Sequence, residues 1–193
     1  MARVLVFAGS ARRESLNKKL ARVGADALRA AGAESTFLDL DDHPIPVYHG
    51  DLEAREGMPE NARKLREIFM THDALLIASP ENNASVSSLL KNVLDWLSRG
   101  VGDGRGVNGG LAPYRGKVAG IMTATPGGYG GVRALPHLRQ ILSALGVIVL
   151  PTQVQLAHAD HAFDEAGKLT DPKMMQAVES MAKSLAETAK RLA

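Results

Sequence analysis

Gly9-Ser10-Ala11-Arg12-Arg13-Glu14-Ser15-Leu16-Asn17 directly follows an apolar run at residues 4–8. Strand, polar turn and helix in that order bring free backbone N–H groups and the positive end of a helix dipole to one place, where an anion can bind. Gly9 permits a tight turn. Ser10, Ser15 and Asn17 add short polar side chains, and Arg12 adds a planar cationic fork suited to phosphate. A helix cap with two solvated arginines would account for the same residues, so other segments must decide. Two further loops are rich in small or amide residues: Ser79-Pro80-Glu81-Asn82-Asn83-Ala84-Ser85, and residues 123–133 with glycines at 127, 128, 130 and 131. Such loops let a planar ligand approach the backbone.

The elements that must position these loops follow from hydrophobic periodicity. Apolar runs predict strands at residues 3–8, 36–40, 73–78, 118–122 and 147–150. Helices are predicted at residues 16–31, from Pro59 to about Met70, at 87–98, at 132–145, and from Pro172 after an Asp171 cap. Pro44 and Pro46 argue against a regular helix in residues 41–58, which read as a polar loop. Residues 100–116 are Gly-rich and read as irregular. Near-continuous apolar strands alternating with helices predict a parallel sheet covered on both faces. The expected fold is α/β: a flavodoxin-like doubly wound five-stranded parallel sheet of order 2-1-3-4-5. Its ligand belongs beyond the carboxyl ends of the strands, between strands 1 and 3. That is where the loops after strands 1, 3 and 4 converge.

Composition narrows the function classes. The 193 residues are expected to form a single domain, with 45% hydrophobic and 23% charged residues, as in ordinary globular proteins. A net charge of +2 from 23 basic and 21 acidic residues argues against nucleic acid as a partner. With no cysteine there is no disulfide, thiol nucleophile or cysteine-ligated metal. The amino end enters a strand at once and no apolar run approaches the ~20 residues of a membrane span. A cytoplasmic protein without a signal peptide is expected.

The motifs in these loops identify the chain as similar to the NADPH-dependent FMN reductases, the flavodoxin-like quinone, azo and chromate reductases. The family's Gly-Ser-x-Arg-x-x-Ser-x-Asn motif is matched by Gly9, Ser10, Arg12, Ser15 and Asn17. Its Pro-Glu-Tyr-Asn loop is matched by Pro80, Glu81 and Asn83, with Asn82 in place of tyrosine. Its Leu-Lys-Asn-x-x-Asp-Trp helix is matched by Leu90, Lys91, Asn92, Asp95 and Trp96, and its Gly-Gly-x-Arg element by Gly130, Gly131 and Arg133. Ser87-Ser88 stands where the family usually has Pro-Gly. The similarity runs from residue 3 to about residue 151.

This resemblance implies an enzyme that passes hydride from NADPH or NADH through bound FMN to a quinone, flavin or similar two-electron acceptor. The cofactor site it implies comprises Ser10, Arg12, Ser15, Leu16, Asn17, Pro80, Glu81, Asn82, Asn83, Ser85, Thr125, Pro126, Gly127, Gly128 and Gly130. The first loop would hold the phosphate. The second would line a ring edge, where Asn82 can present its backbone but no aromatic face or phenol. The third would give backbone donors to the pyrimidine side. No side chain is required as a catalytic acid, base or nucleophile, and no metal is implied. A homodimer or homotetramer is implied as well. Two alternatives are a flavodoxin-type electron carrier, disfavoured by near-neutral charge and few aromatics, and an interaction protein that has lost the flavin.

Other matches dissolve on inspection. Gly104-Arg105-Gly106-Val107-Asn108-Gly109 spells a dinucleotide fingerprint but follows a helix rather than a strand. His158-Ala159-Asp160-His161 reads as a polar surface loop rather than a metal site. Trp96, Met174, Met175 and Met181 read as packing residues, and His43 and His49 as solvated.

Overall fold

The computed structural model describes residues 1–100 and 110–192. The dinucleotide-like glycine motif at 104–109 lies outside the described residues. Five strands, β1 (Arg3–Ala8), β2 (Glu34–Leu38), β3 (Ala74–Ala78), β4 (Val118–Ala124) and β5 (Ile148–Leu156), form one sheet of order β2-β1-β3-β4-β5. Every neighbouring pair is parallel. The helices are α1 (Leu16–Ala30), α2 (Gly50–Glu56), α3 (Glu60–Met70), α4 (Ser88–Leu97), α5 (Ala134–Ala144) and α6 (Pro172–Leu192).

Alternation along the strands divides the interior into two cores. Val4, Val6 and Ala8 of β1, with Leu76 and Met122, pack against α1 and α6. Leu5 and Phe7, with Leu75, Ile77 and Ile121, pack against α3, α4 and α5. Burial on both faces is why these strands read as continuous apolar runs. Gly24 fits α1 closely to the sheet: a Cβ there would lie 2.6 Å from Leu76 Cδ2. Met174 and Met175 pack at the margin of this core and Met181 lies within it. Trp96 is fully buried, with its Nε1 donating to Pro46 O (2.8 Å).

β4 runs two residues past the expected end, to Ala124, and α5 starts two residues late, at Ala134; three further differences have identifiable causes. β2 lies at Glu34–Leu38, two residues early, because its register with β1 runs from Arg3↔Glu34 to Phe7↔Leu38. Asp39 then caps a 3-10 turn by accepting from Asp41 N (3.1 Å). β5 continues to Leu156, past Pro151. Its register with β4 shifts between Ala119 and Ile121, a bulge that an edge strand tolerates and that accommodates a residue without an N–H. The polar segment at 41–58 contains α2, which the prolines precede rather than forbid. His49 Nδ1 accepts from Asp51 N and Leu52 N, Asp51 and Glu53 occupy its positive end, and Gly57 ends it at φ +74°.

Asn92 of α4 and Arg99 just beyond its end fasten this segment. Asn92 accepts from Tyr48 N (2.8 Å) and donates to Pro46 O (2.9 Å), while Arg99 pairs with Glu53 at 2.9 Å. Among the described residues, no helix is long and apolar enough to cross a membrane.

Candidate functional site

The strand order leaves the loops after β1, β3 and β4 side by side at the carboxyl edge, and a cleft of about 430 Å³ opens between them. From the first loop it is bordered by Ser10, Arg12, Ser15, Leu16 and Asn17, from the second by Pro80, Glu81 and Asn82, and from the third by Thr125 and Pro126. Ten of the expected residues thus meet at one opening, although residues 10 and 126 are far apart in the chain.

The first loop is built to leave donors available. Ser15 caps α1 by accepting from Lys18 N (3.4 Å), and α1 carries no acidic residue in its first turn. Helix N–H groups this early have no intrahelical acceptor. Arg12 is exposed beside them, and its guanidinium has no protein partner among the described residues. Ser10 Oγ accepts from Arg12 N (3.3 Å), which shapes the turn. Lys18 is buried, with Nζ 2.7 Å from Asp39 and 3.4 Å from Ala11 O, so it anchors the loop from behind.

Asn17 takes part differently from the sequence expectation. Its side-chain Nδ2 donates to Ala124 O (2.8 Å) and its Oδ1 accepts from Ala124 N (2.9 Å). Both ends of the amide tie α1 to the end of β4, and they satisfy backbone groups buried where the strand stops. Asn17 also stands in the first helical turn, bordering the cleft.

In the second loop, Asn82 N donates to Ser85 O (2.9 Å) and Ser85 N donates to Asn82 O (3.1 Å). Asn83 and Ala84 between them have φ of +50° and +63°, the pattern of a type I′ turn. The Asn82 N–H is therefore engaged, and the residue presents its exposed amide instead. Asn83 and Ser85 face a neighbouring groove of about 770 Å³, shared with His137 of α5; Ser85 Oγ and His137 Nδ1 are 2.9 Å apart.

Glu81 borders the cleft, but its carboxylate points into a clamp. It accepts from Arg133 N (2.8 Å), Arg133 Nε (2.9 Å), Arg133 Nη2 (2.6 Å) and Ala134 N (3.1 Å). Burial opposes its ionisation, yet the guanidinium and the two backbone donors outweigh that and hold the carboxyl below the usual glutamate range.

Gly127, Gly128 and Gly130 are not among the residues bordering the cleft. Gly128 and Gly130 lie close to the chain itself, whereas a Cβ on Gly127 would have room. Gly130, at φ +58°, would place a Cβ 3.3 Å from Ala157 N, and a Cβ on Gly128 would lie 3.5 Å from His158 Nε2. Gly131, at φ +74°, closes over the buried hydroxyl of Thr123.

The structure adds cleft residues outside the expected set: Gly9, Ala11, Ser87, Ser88, Leu89 and Ala124. Ser87 had a readable signal, a serine preceding an apolar helix. Its hydroxyl accepts from Leu90 N (3.2 Å), capping α4, and donates to Gly9 O (2.5 Å), joining the first two loops. The departure at Ser87-Ser88 leaves the cleft open.

The donor set suits a phosphorylated planar ligand. One end offers an exposed guanidinium, the amino end of a helix and a hydroxyl, and the other offers small and amide side chains around a slot of ligand size. Comparison with known proteins agrees. The sequence model of a family described as NADPH-dependent FMN reductase matches residues 2–161. An NAD(P)H-dependent FMN reductase of Pseudomonas aeruginosa is 35% identical over 191 residues, covering 98% of this chain and 96% of the relative. A quinone reductase of Pseudomonas putida is 33% identical over 169 residues, covering 87% and 84%. Among solved structures, the flavoenzyme NAD(P)H:(acceptor) oxidoreductase FerB of Paracoccus denitrificans matches with a TM-score of 0.80 and 27% identity, over 99% of this chain and 98% of that one.

Proposed function

Because the chain belongs to the NADPH-dependent FMN reductase family, we propose that its cleft binds FMN and that it transfers two electrons from NADPH or NADH to a small-molecule acceptor, a quinone or a free flavin. One observation carries this reading: an exposed Arg12, whose guanidinium has no partner among the described residues, stands beside the amino end of a 15-residue helix, at the cleft where three loops meet. A dianionic phosphate is the group that such an arrangement stabilises.

Ser10, Arg12 and the backbone of Ser15, Leu16 and Asn17 hold the phosphate. Pro80 and Asn82 on one side, and Thr125 and Pro126 on the other, flank the ring, with the glycines at 127, 128 and 130 supporting the third loop. Bound FMN supplies the two-electron chemistry, which no side chain in the cleft carries. The protein's part is to bind, orient and leave one approach open, so the nicotinamide donor and the acceptor use the same opening in turn. The protein acts in the cytoplasm as a homodimer or homotetramer.

The test is a visible spectrum of purified protein supplemented with FMN and desalted. Retained flavin bands that bleach with NADPH and return on adding a quinone are expected. Complete loss of flavin on desalting, with no quenching of FMN fluorescence by fresh protein, would overturn the reading.

A further inference from the structure

We propose that Glu81 is a positioning residue for the cofactor: it sets the spacing of the two loops that flank the ring without touching the ring itself. The inference rests on the flavin reading of the cleft. Ionised, a carboxylate has two oxygens and about four lone-pair sites. Glu81 already accepts four hydrogen bonds, three from Arg133 and one from Ala134 N, with its side chain only 8% exposed. No acceptor capacity remains on the carboxylate for a ligand N–H, although the residue borders the cleft.

Those four donors lie across the cleft edge from Glu81's own strand. Glu81 leaves β3, whereas Arg133 and Ala134 begin α5, after the loop that leaves β4. Arg133 occupies the N-cap position of α5 and provides no side-chain cap, so Glu81 supplies from the opposite loop the anion that this helix end lacks. The other foot of the turn is fastened to the same helix, by Ser85 to His137 at 2.9 Å. Between the two feet stand Asn83 and Ala84 with positive φ. A turn held in a sparsely populated conformation and braced at both feet is a preorganised edge. Its placement relative to Thr125 and Pro126 is what a seated ring would depend on.

The experiment is a double-mutant cycle on FMN affinity, read by fluorescence quenching, with Glu81→Ala, Arg133→Ala and the pair. Steady-state kinetics with NADPH and a small benzoquinone accompany it at saturating FMN. Action through the clamp predicts about a tenfold weaker affinity for Glu81→Ala, with the double variant losing much less than the product of the single losses. At saturating FMN, kcat falls and the bound-flavin bands broaden, while KM for NADPH changes less than about twofold. Independent losses that multiply, or a Glu81→Ala protein with parental kcat and spectrum, overturn the proposal. Should Glu81→Ala fail to fold, Glu81→Gln, which keeps the shape but not the charge, takes its place in the cycle. Parental protein that binds no FMN overturns the flavin reading together with this one, whereas parental binding with multiplicative losses overturns only this one.

Discussion

Arg12 and Asn17 come from the same motif, but the structure places their side chains differently. The Arg12 side chain is exposed, with no partner among the described residues, so on the proposed FMN reading Arg12→Ala removes a ligand contact and little else. FMN affinity is expected to fall by about 10- to 100-fold, the worth of one or two charge-assisted hydrogen bonds. The thermal midpoint of the flavin-free protein should stay within about 2 °C, as for other surface substitutions. Equal affinity in mutant and parent would remove the phosphate from this loop. The Asn17 amide, by contrast, completes two backbone hydrogen bonds at the end of β4. A motif records that a residue type is needed there, and not whether the ligand or the fold needs it. Glu81 makes the same point, since its carboxylate is saturated by Arg133 and Ala134.

At the scale of elements, the turn after β3 is where local preference and observed conformation disagree. Type I′ turns favour Asn-Gly, and this chain has Asn83-Ala84, with Ala84 at φ +63°. An L-residue held in the left-handed region is strained by about 1 kcal/mol. Ala84→Gly is therefore expected to stabilise the flavin-free protein by up to about 1 kcal/mol, despite glycine's greater freedom in the unfolded chain. Urea denaturation checks this, and a destabilised variant would show that the alanine methyl packs usefully. The flavin affinity of the same variant is expected to fall slightly, because the edge becomes less rigid. Residues 46–53 show the reverse case. The segment is poor in hydrophobic pattern and is ordered by Asn92 and Trp96 from α4 and by Arg99 just beyond its end.

For the whole molecule, three carboxylates link distant parts of the chain and titrate low. Glu53 is held down chiefly by its hydrogen bond to Arg99. Asp73 and Glu81 are opposed by burial but held down by Arg3 and Arg133 respectively. A folded-state pKa below the unfolded value means that each contribution is complete above about pH 4.3, the ordinary glutamate value, and fades as pH falls through the lower folded value. Urea midpoints should thus drop steeply between about pH 4.5 and 3. The Glu53→Gln/Glu81→Gln protein is expected to be less stable at pH 7 and to lose less on acidification. A parental midpoint that is flat over that range would show that these pairs contribute nothing.

Much of the architecture was legible in the chain because parallel strands buried on both faces must be apolar throughout, and the turns between them need glycine, proline and short polar residues. Strand order, and with it the meeting of the loops after β1, β3 and β4, followed from that pattern. The capping serine and exposed arginine of the first loop were legible too, because a helix start is a local arrangement. The extra turn of helix at Gly50–Glu56, the bulged extension of β5 past Pro151 and the two-residue shift of β2 were not, since each is settled by a partner element distant in sequence. The same holds for side-chain direction. Whether Asn17, Glu81 and the third-loop glycines face a ligand or the chain itself depends on which backbone atoms the fold leaves unsatisfied beside them, and only packing in three dimensions determines that.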